Sequence, residues 1–132
     1  MKKLAKLSGV ILMIGTALAT YSFMSDDTMS KENGVYVINT TNLGKDVKGF
    51  NGPTPIKLYI KNDKVERLEF LKSQETPKFY TRVKEAFVNK WSGKNAKDAR
   101  NLPVDAVSGA TYSSKAVIKN VQLALDYYQK NR

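Results

Sequence analysis

The residues best placed to do chemistry lie in one stretch, Asp105-Ala106-Val107-Ser108-Gly109-Ala110-Thr111-Tyr112-Ser113-Ser114-Lys115. Small residues feeding a helix start combine free backbone N–H groups with the positive end of the helix dipole, and Lys115 adds a cation. That combination suits an anionic phosphate. Ser108, Gly109 and Ala110 carry no bulk to keep a ligand or partner off the backbone, and Thr111 presents a hydroxyl in the middle of the loop. The same residues also read as a plain turn and helix cap, with Ser113 or Ser114 at the N-cap.

Composition removes much other chemistry. The 132 residues include no His and no Cys. Disulfides, thiolate and imidazole bases, zinc fingers, His or Cys haem ligands and Cys-ligated iron–sulfur clusters are therefore excluded. At 42% hydrophobic and 26% charged residues, the chain lies outside the low-hydrophobicity, high-charge regime of disorder. Its length is that of one domain.

Several elements must position the loop. Val35 to Ile38 is a short β-rich run. Asn39 to Pro53 reads as a loop with Phe50 as its large anchor. Ile56, Leu58 and Ile60 alternate with polar neighbours, Asn62-Asp63 supplies a turn, and Val65 to Leu71 returns with Leu68 and Phe70 alternating. These predict an antiparallel hairpin with one buried face. After a break at Ser73 to Pro77, Phe79, Val83, Ala86, Phe87 and Trp91 fall on one helical stripe. Lys94 to Pro103 reads as a polar connection. In the last segment Val117, Ile118, Val121, Ala124, Leu125 and Tyr128 recur at helical spacing, with Lys119, Gln122, Asp126, Gln129 and Lys130 turned outward. The expected class is α+β: a small, mostly antiparallel β-sheet with helices packed on one face, in a single domain.

The N-terminus carries an export pattern. Lys2, Lys3 and Lys6 precede an apolar, uncharged run, Leu7 to Met24, with Ala17-Leu18-Ala19 as a cleavage pattern. Residues 1–24 are thus expected to be a signal peptide or an N-terminal membrane anchor, residues 25–33 a polar linker, and residues 34–132 the folded domain. Setting the three lysines aside leaves 19 basic and 12 acidic side chains, net +7. An exported domain of this charge is drawn to anionic membrane or wall surfaces. Its charges are scattered, without the basic run expected of a nucleic-acid binder.

The stretch at 105–111 resembles the flavinylation motif of the covalent FMN-binding domain family: Asp, two variable residues, Ser or Thr, Gly, Ala, Thr. Every fixed position is matched, at Asp105, Ser108, Gly109, Ala110 and Thr111. The likeness runs from about Asn33 to Tyr128, through Gly34-Val35-Tyr36, Gly52-Pro53, the hairpin and Glu75-Thr76-Pro77. Asn62-Asp63 stands where the family usually has Asp-Gly, and Lys78-Phe79-Tyr80 where it often has a Gly-rich segment.

The family includes the peripheral FMN subunits of the sodium-pumping NADH:quinone oxidoreductase and the Rnf complex. The resemblance implies FMN held through a phosphoester to Thr111, donated from FAD by a separate flavin transferase that releases AMP. It makes Asp105, Ser108, Gly109 and Ala110 recognition and positioning residues. Ser113, Ser114, Glu75 and Thr76 are further candidates near the cofactor, with Glu75 alternatively a plain acid before a helix. Tyr36, Tyr112 and Trp91 are candidates to stack on the flavin, although aromatic residues in a small domain are more often core. The expected function is an extracytoplasmic electron carrier rather than an enzyme, between a membrane electron donor and an extracytoplasmic electron acceptor, alone or within a larger complex. The competing expectation is a cofactor-free exported binding module for an anionic wall polymer or a protein.

Overall fold

The computed structural model describes residues 27–132. The expected signal or anchor of residues 1–24 lies outside the described residues. Among the described residues, no helix is long and apolar enough to cross a membrane.

Four strands, β1 (Met29–Glu32), β2 (Val35–Asn39), β3 (Ile56–Lys61) and β4 (Lys64–Phe70), form an antiparallel sheet in chain order. Three helices follow: α1 (Pro77–Phe87), α2 (Ala96–Asn101) and α3 (Thr111–Asn131). The α+β expectation is met. Pairing places Ile38 opposite Leu58 and Leu58 opposite Leu68, with Ile56 opposite Phe70. Because side chains alternate across a strand, these residues share one face, and Ile38, Ile56, Leu58 and Ile60 are fully buried on it. Asn62 and Asp63, with φ of 52° and 64°, turn β3 into β4. This is the backbone of a two-residue hairpin turn, which Asn and Asp tolerate.

α3 covers this face. Val117, Val121, Ala124, Leu125 and Tyr128 repeat at helical spacing and are buried. Its far end is tied to the hairpin, as the Tyr128 hydroxyl donates to Asp63 at 2.9 Å. α1 adds Tyr80, Val83 and Phe87, and Trp91 packs edge-on against Phe87 beyond the helix end, with ring centroids 5.7 Å apart.

Four local expectations are corrected. The linker assigned to residues 25–33 is partly strand, since β1 pairs with β2 from Met29–Ile38 to Glu32–Val35. Ser-Lys-Glu shows no apolar alternation because an edge strand is held by its backbone bonds, with Met29 alone leaning on the core. The polar connection 94–103 contains α2, capped by the Asn95 side chain, which accepts from the Asp98 N–H at 2.8 Å. Ala96 and Ala99 bury its inner face, and alanines give a weak apolar signal in sequence. On α1 the stripe is Tyr80, Val83, Phe87; Phe79 and Ala86 are exposed. Phe50 anchors nothing in the core and is 72% exposed, whereas Leu43 packs against the core from that loop.

Candidate functional site

α3 begins at Thr111 itself, with Ala110 at the N-cap and no side chain capping it. Ser113 and Ser114 are therefore not caps, as their sequence position suggests, but lie inside the first turn. Ser114 is fully buried; its hydroxyl donates to the Ala110 carbonyl at 2.7 Å and accepts from the Val107 N–H at 2.9 Å, folding the motif loop onto the helix. The first bond of the helix ladder runs from the Ser114 N–H to the Ala110 carbonyl. The N–H groups of Thr111, Tyr112 and Ser113 precede it, and no side chain answers them.

Ser113 turns inward and donates a short hydrogen bond to Glu75. Glu75 is 5% exposed. Its carboxylate also accepts from the backbone N–H groups of Phe50 at 2.8 Å and Asn51 at 2.6 Å. One side chain thus latches the loop 49–53 to the start of α3. Burial alone would push the carboxyl up, but the hydrogen bonds from Ser113, Phe50, Asn51 and Gly52 outweigh it and hold the group below the ordinary glutamate value. Gly49 is required by this close approach, since a Cβ there would collide with the Glu75 carboxylate. Asn51 extends the latch by donating to the Gln74 carbonyl and the Thr76 hydroxyl, both at 3.2 Å.

The latch defines one wall of a cleft of about 400 Å³ lined by Phe50, Thr76, Phe79, Gly109, Ala110, Thr111, Tyr112 and Ser113. Two of the lining side chains, Phe50 and Tyr112, are in ring contact, with centroids 6.3 Å apart and planes inclined by 31°. Both are mostly exposed, as is Thr111, and Phe79 is 38% exposed. The volume and apolar lining are those of a small-molecule site. Phe50, Phe79 and Tyr112 thus gather exposed apolar surface at one place, as binding sites do.

The sequence-derived residues separate into three groups. Thr111, Gly109, Ala110, Ser113 and Thr76 line the cleft; Glu75 and Ser114 brace it from beneath. Ser108 and Asp105 are exposed on the approach to the helix, Ser108 with its carbonyl held by Arg82 at 2.7 Å. Of the three aromatic candidates, Tyr112 lines the cleft. Tyr36 packs edge-on against Tyr128 at 5.2 Å, and Trp91 is buried against Phe87. Sequence reasoning missed Phe50 and Phe79 as lining residues. An isolated Phe in a Gly-rich loop is a weak hint of an exposed aromatic.

Comparison with known families supports the same region. No curated protein matches the chain. The sequence model of the FMN-binding domain matches residues 49–126, which take in the Phe50 loop, Glu75 and the whole motif at 105–111. The match spans more than half of the 132 residues, and the chain belongs to the FMN-binding domain family, with FMN as its cofactor.

Proposed function

We propose that this protein is an exported flavoprotein that carries FMN covalently on Thr111 and serves as an extracytoplasmic electron carrier. The observation that carries the reading is the exposed Thr111 hydroxyl at an uncapped helix N-terminus, opening into an aromatic cleft. The residues suit the two ends of FMN. Phe50, Phe79 and Tyr112 offer apolar faces to a flat ring system, and the N–H groups of Thr111, Tyr112 and Ser113 offer donors to a phosphate.

Attachment balances as a phosphoryl transfer. The Thr111 oxygen forms a bond to the flavin-side phosphorus of FAD, the bond linking its two phosphates breaks, AMP leaves, and the hydroxyl proton is lost. A separate flavin transferase supplies that chemistry. Bound FMN provides one-electron and two-electron redox steps, which a chain lacking His and Cys does not provide itself. Covalent attachment suits an exported carrier, because a dissociated cofactor would be lost to the medium. A membrane donor, quinone-linked or NADH-linked, and an extracytoplasmic acceptor are its proposed partners, and anionic surfaces attract its basic charge.

Intact mass under denaturing conditions tests the reading. Protein from its host membranes should gain about 438 daltons, one FMN less water, and Thr111→Ala should gain none while still folding. Absence of the gain in a host that flavinylates other proteins would overturn covalent attachment, and a protein that is also colourless before denaturation would leave the cofactor-free binding module as the better account.

A further inference from the structure

The chain has four arginines. Arg67, Arg100 and Arg132 each lie within 4.0 Å of a carboxylate. Arg82 has no such partner among the described residues. It projects from α1 one turn after Phe79, so the two share a helix side, and Phe79 lines the cleft. Its Nη2 donates to the Ser108 carbonyl at 2.7 Å, and Nη1 lies 3.5 Å from the position a Cβ would take on Gly109. Gly109 itself has φ of 83°, so the loop bends where only glycine is unstrained and where the guanidinium approaches closely.

This arrangement has two electrostatic effects on the attachment site. The bond to Ser108 offsets the partial negative charge of a carbonyl in the motif loop. The guanidinium has five donors and spends one here, leaving a permanent positive charge beside a loop that leads in two residues to Thr111. Arg82 is pre-positioned by that bond, and its planar fork matches phosphate oxygens.

We propose that Arg82 is the anion-positioning residue of the attachment site, holding the flavin-side phosphate of FAD during transfer and the resulting phosphodiester afterwards. The proposal rests on the reading of Thr111 as the attachment point. In the balanced transfer given above, FAD carries two negative charges, the phosphodiester keeps one and AMP leaves with two, while one proton is released. Positive charge fixed at Ser108 and Gly109, two residues before Thr111, therefore favours both the approach of the substrate and the charge that develops at phosphorus.

The test uses the full chain produced without flavin transferase, then incubated with transferase and FAD, with loading followed by intact mass. Arg82→Gln keeps a donor for the Ser108 carbonyl without charge; Arg82→Lys keeps the charge. Loading of the Gln variant should slow at least about tenfold, with Lys restoring most of the rate. The ³¹P resonance of the loaded protein should move in the Gln variant and return toward the wild-type position with Lys. Equal behaviour of the two variants, or a wild-type rate for Gln, would overturn the assignment to Arg82 while leaving Thr111 as the attachment point. A wild-type chain that gains no flavin would remove both readings. Thermal melts of the variants should match wild type, because Arg82 is exposed.

Discussion

At the scale of single residues, Glu75 decides more than its place in the sequence suggests. Its three strongest partners, Phe50, Asn51 and Ser113, lie 25, 24 and 38 residues away, so no local pattern announces the latch. Glu75→Gln keeps the size, but an amide nitrogen cannot accept from backbone N–H groups. The substitution should cost about 1–3 kcal/mol, read as a lower unfolding midpoint in urea. Tyr80 presents the opposite case. Its buried hydroxyl has no hydrogen-bond partner, and burial together with the Glu75 charge pushes its pKa well above the ordinary tyrosine value. Tyr80→Phe should therefore leave stability unchanged or slightly raise it, a result the same urea series would show. Gly109→Ala should slow flavin loading, because a Cβ at φ 83° strains the loop by about 1–2 kcal/mol. The Thr111 motif was legible because its residues are contiguous. Arg82 was not, because its role comes from a carbonyl 26 residues further along.

Among the elements, legibility followed the strength of the apolar period. β3, β4 and α3 carry alternations and stripes that bury large side chains and could be read directly. β1 and α2 could not, since one is held by backbone pairing at a sheet edge and the other buries two alanines. The loop 49–53 is held in a third way, by charge. With its folded pKa below the ordinary glutamate value of 4.5, ionised Glu75 contributes its full stabilisation above that value. The contribution is lost as pH falls through the depressed folded value. Protection of the Phe50 and Asn51 amides, measured against the intrinsic exchange rate at each pH, should fall over that acidic window and hold level from there up to neutral pH; protection that ignores acidification would show that the loop is held otherwise. Asn95→Ala should lower stability by about 1 kcal/mol through loss of the α2 cap, measurable as a lower melting temperature.

On the scale of the whole molecule, the sheet and α3 make a scaffold whose two ends differ. One end of α3 carries Thr111; the other is clipped by Tyr128 and Arg132 to the hairpin turn at Asp63. With 21 residues, the helix separates them by about 31 Å at 1.5 Å per residue. Asp63→Ala should accordingly lower the melting temperature while leaving the rate of flavin loading unchanged. The basic surface belongs to this scale too. The protein should sediment with anionic phospholipid vesicles at low ionic strength and be released by salt, whose screening length shrinks from about 10 Å at 0.1 M to about 3 Å at 1 M.

The exposure of Phe50 and Tyr112 beside Thr111 has a kinetic consequence. A cofactor on a leash re-enters its seat as an intramolecular event, at an effective concentration in the mM range for a short flexible link. A seat that would be nearly empty at trace levels of free ligand is then well populated, even when its grip is weak. With FMN tethered at Thr111, as proposed, the exposure of Phe50 and Tyr112 would let the ring lean out toward a partner and fall back, so reach and retention need not compete.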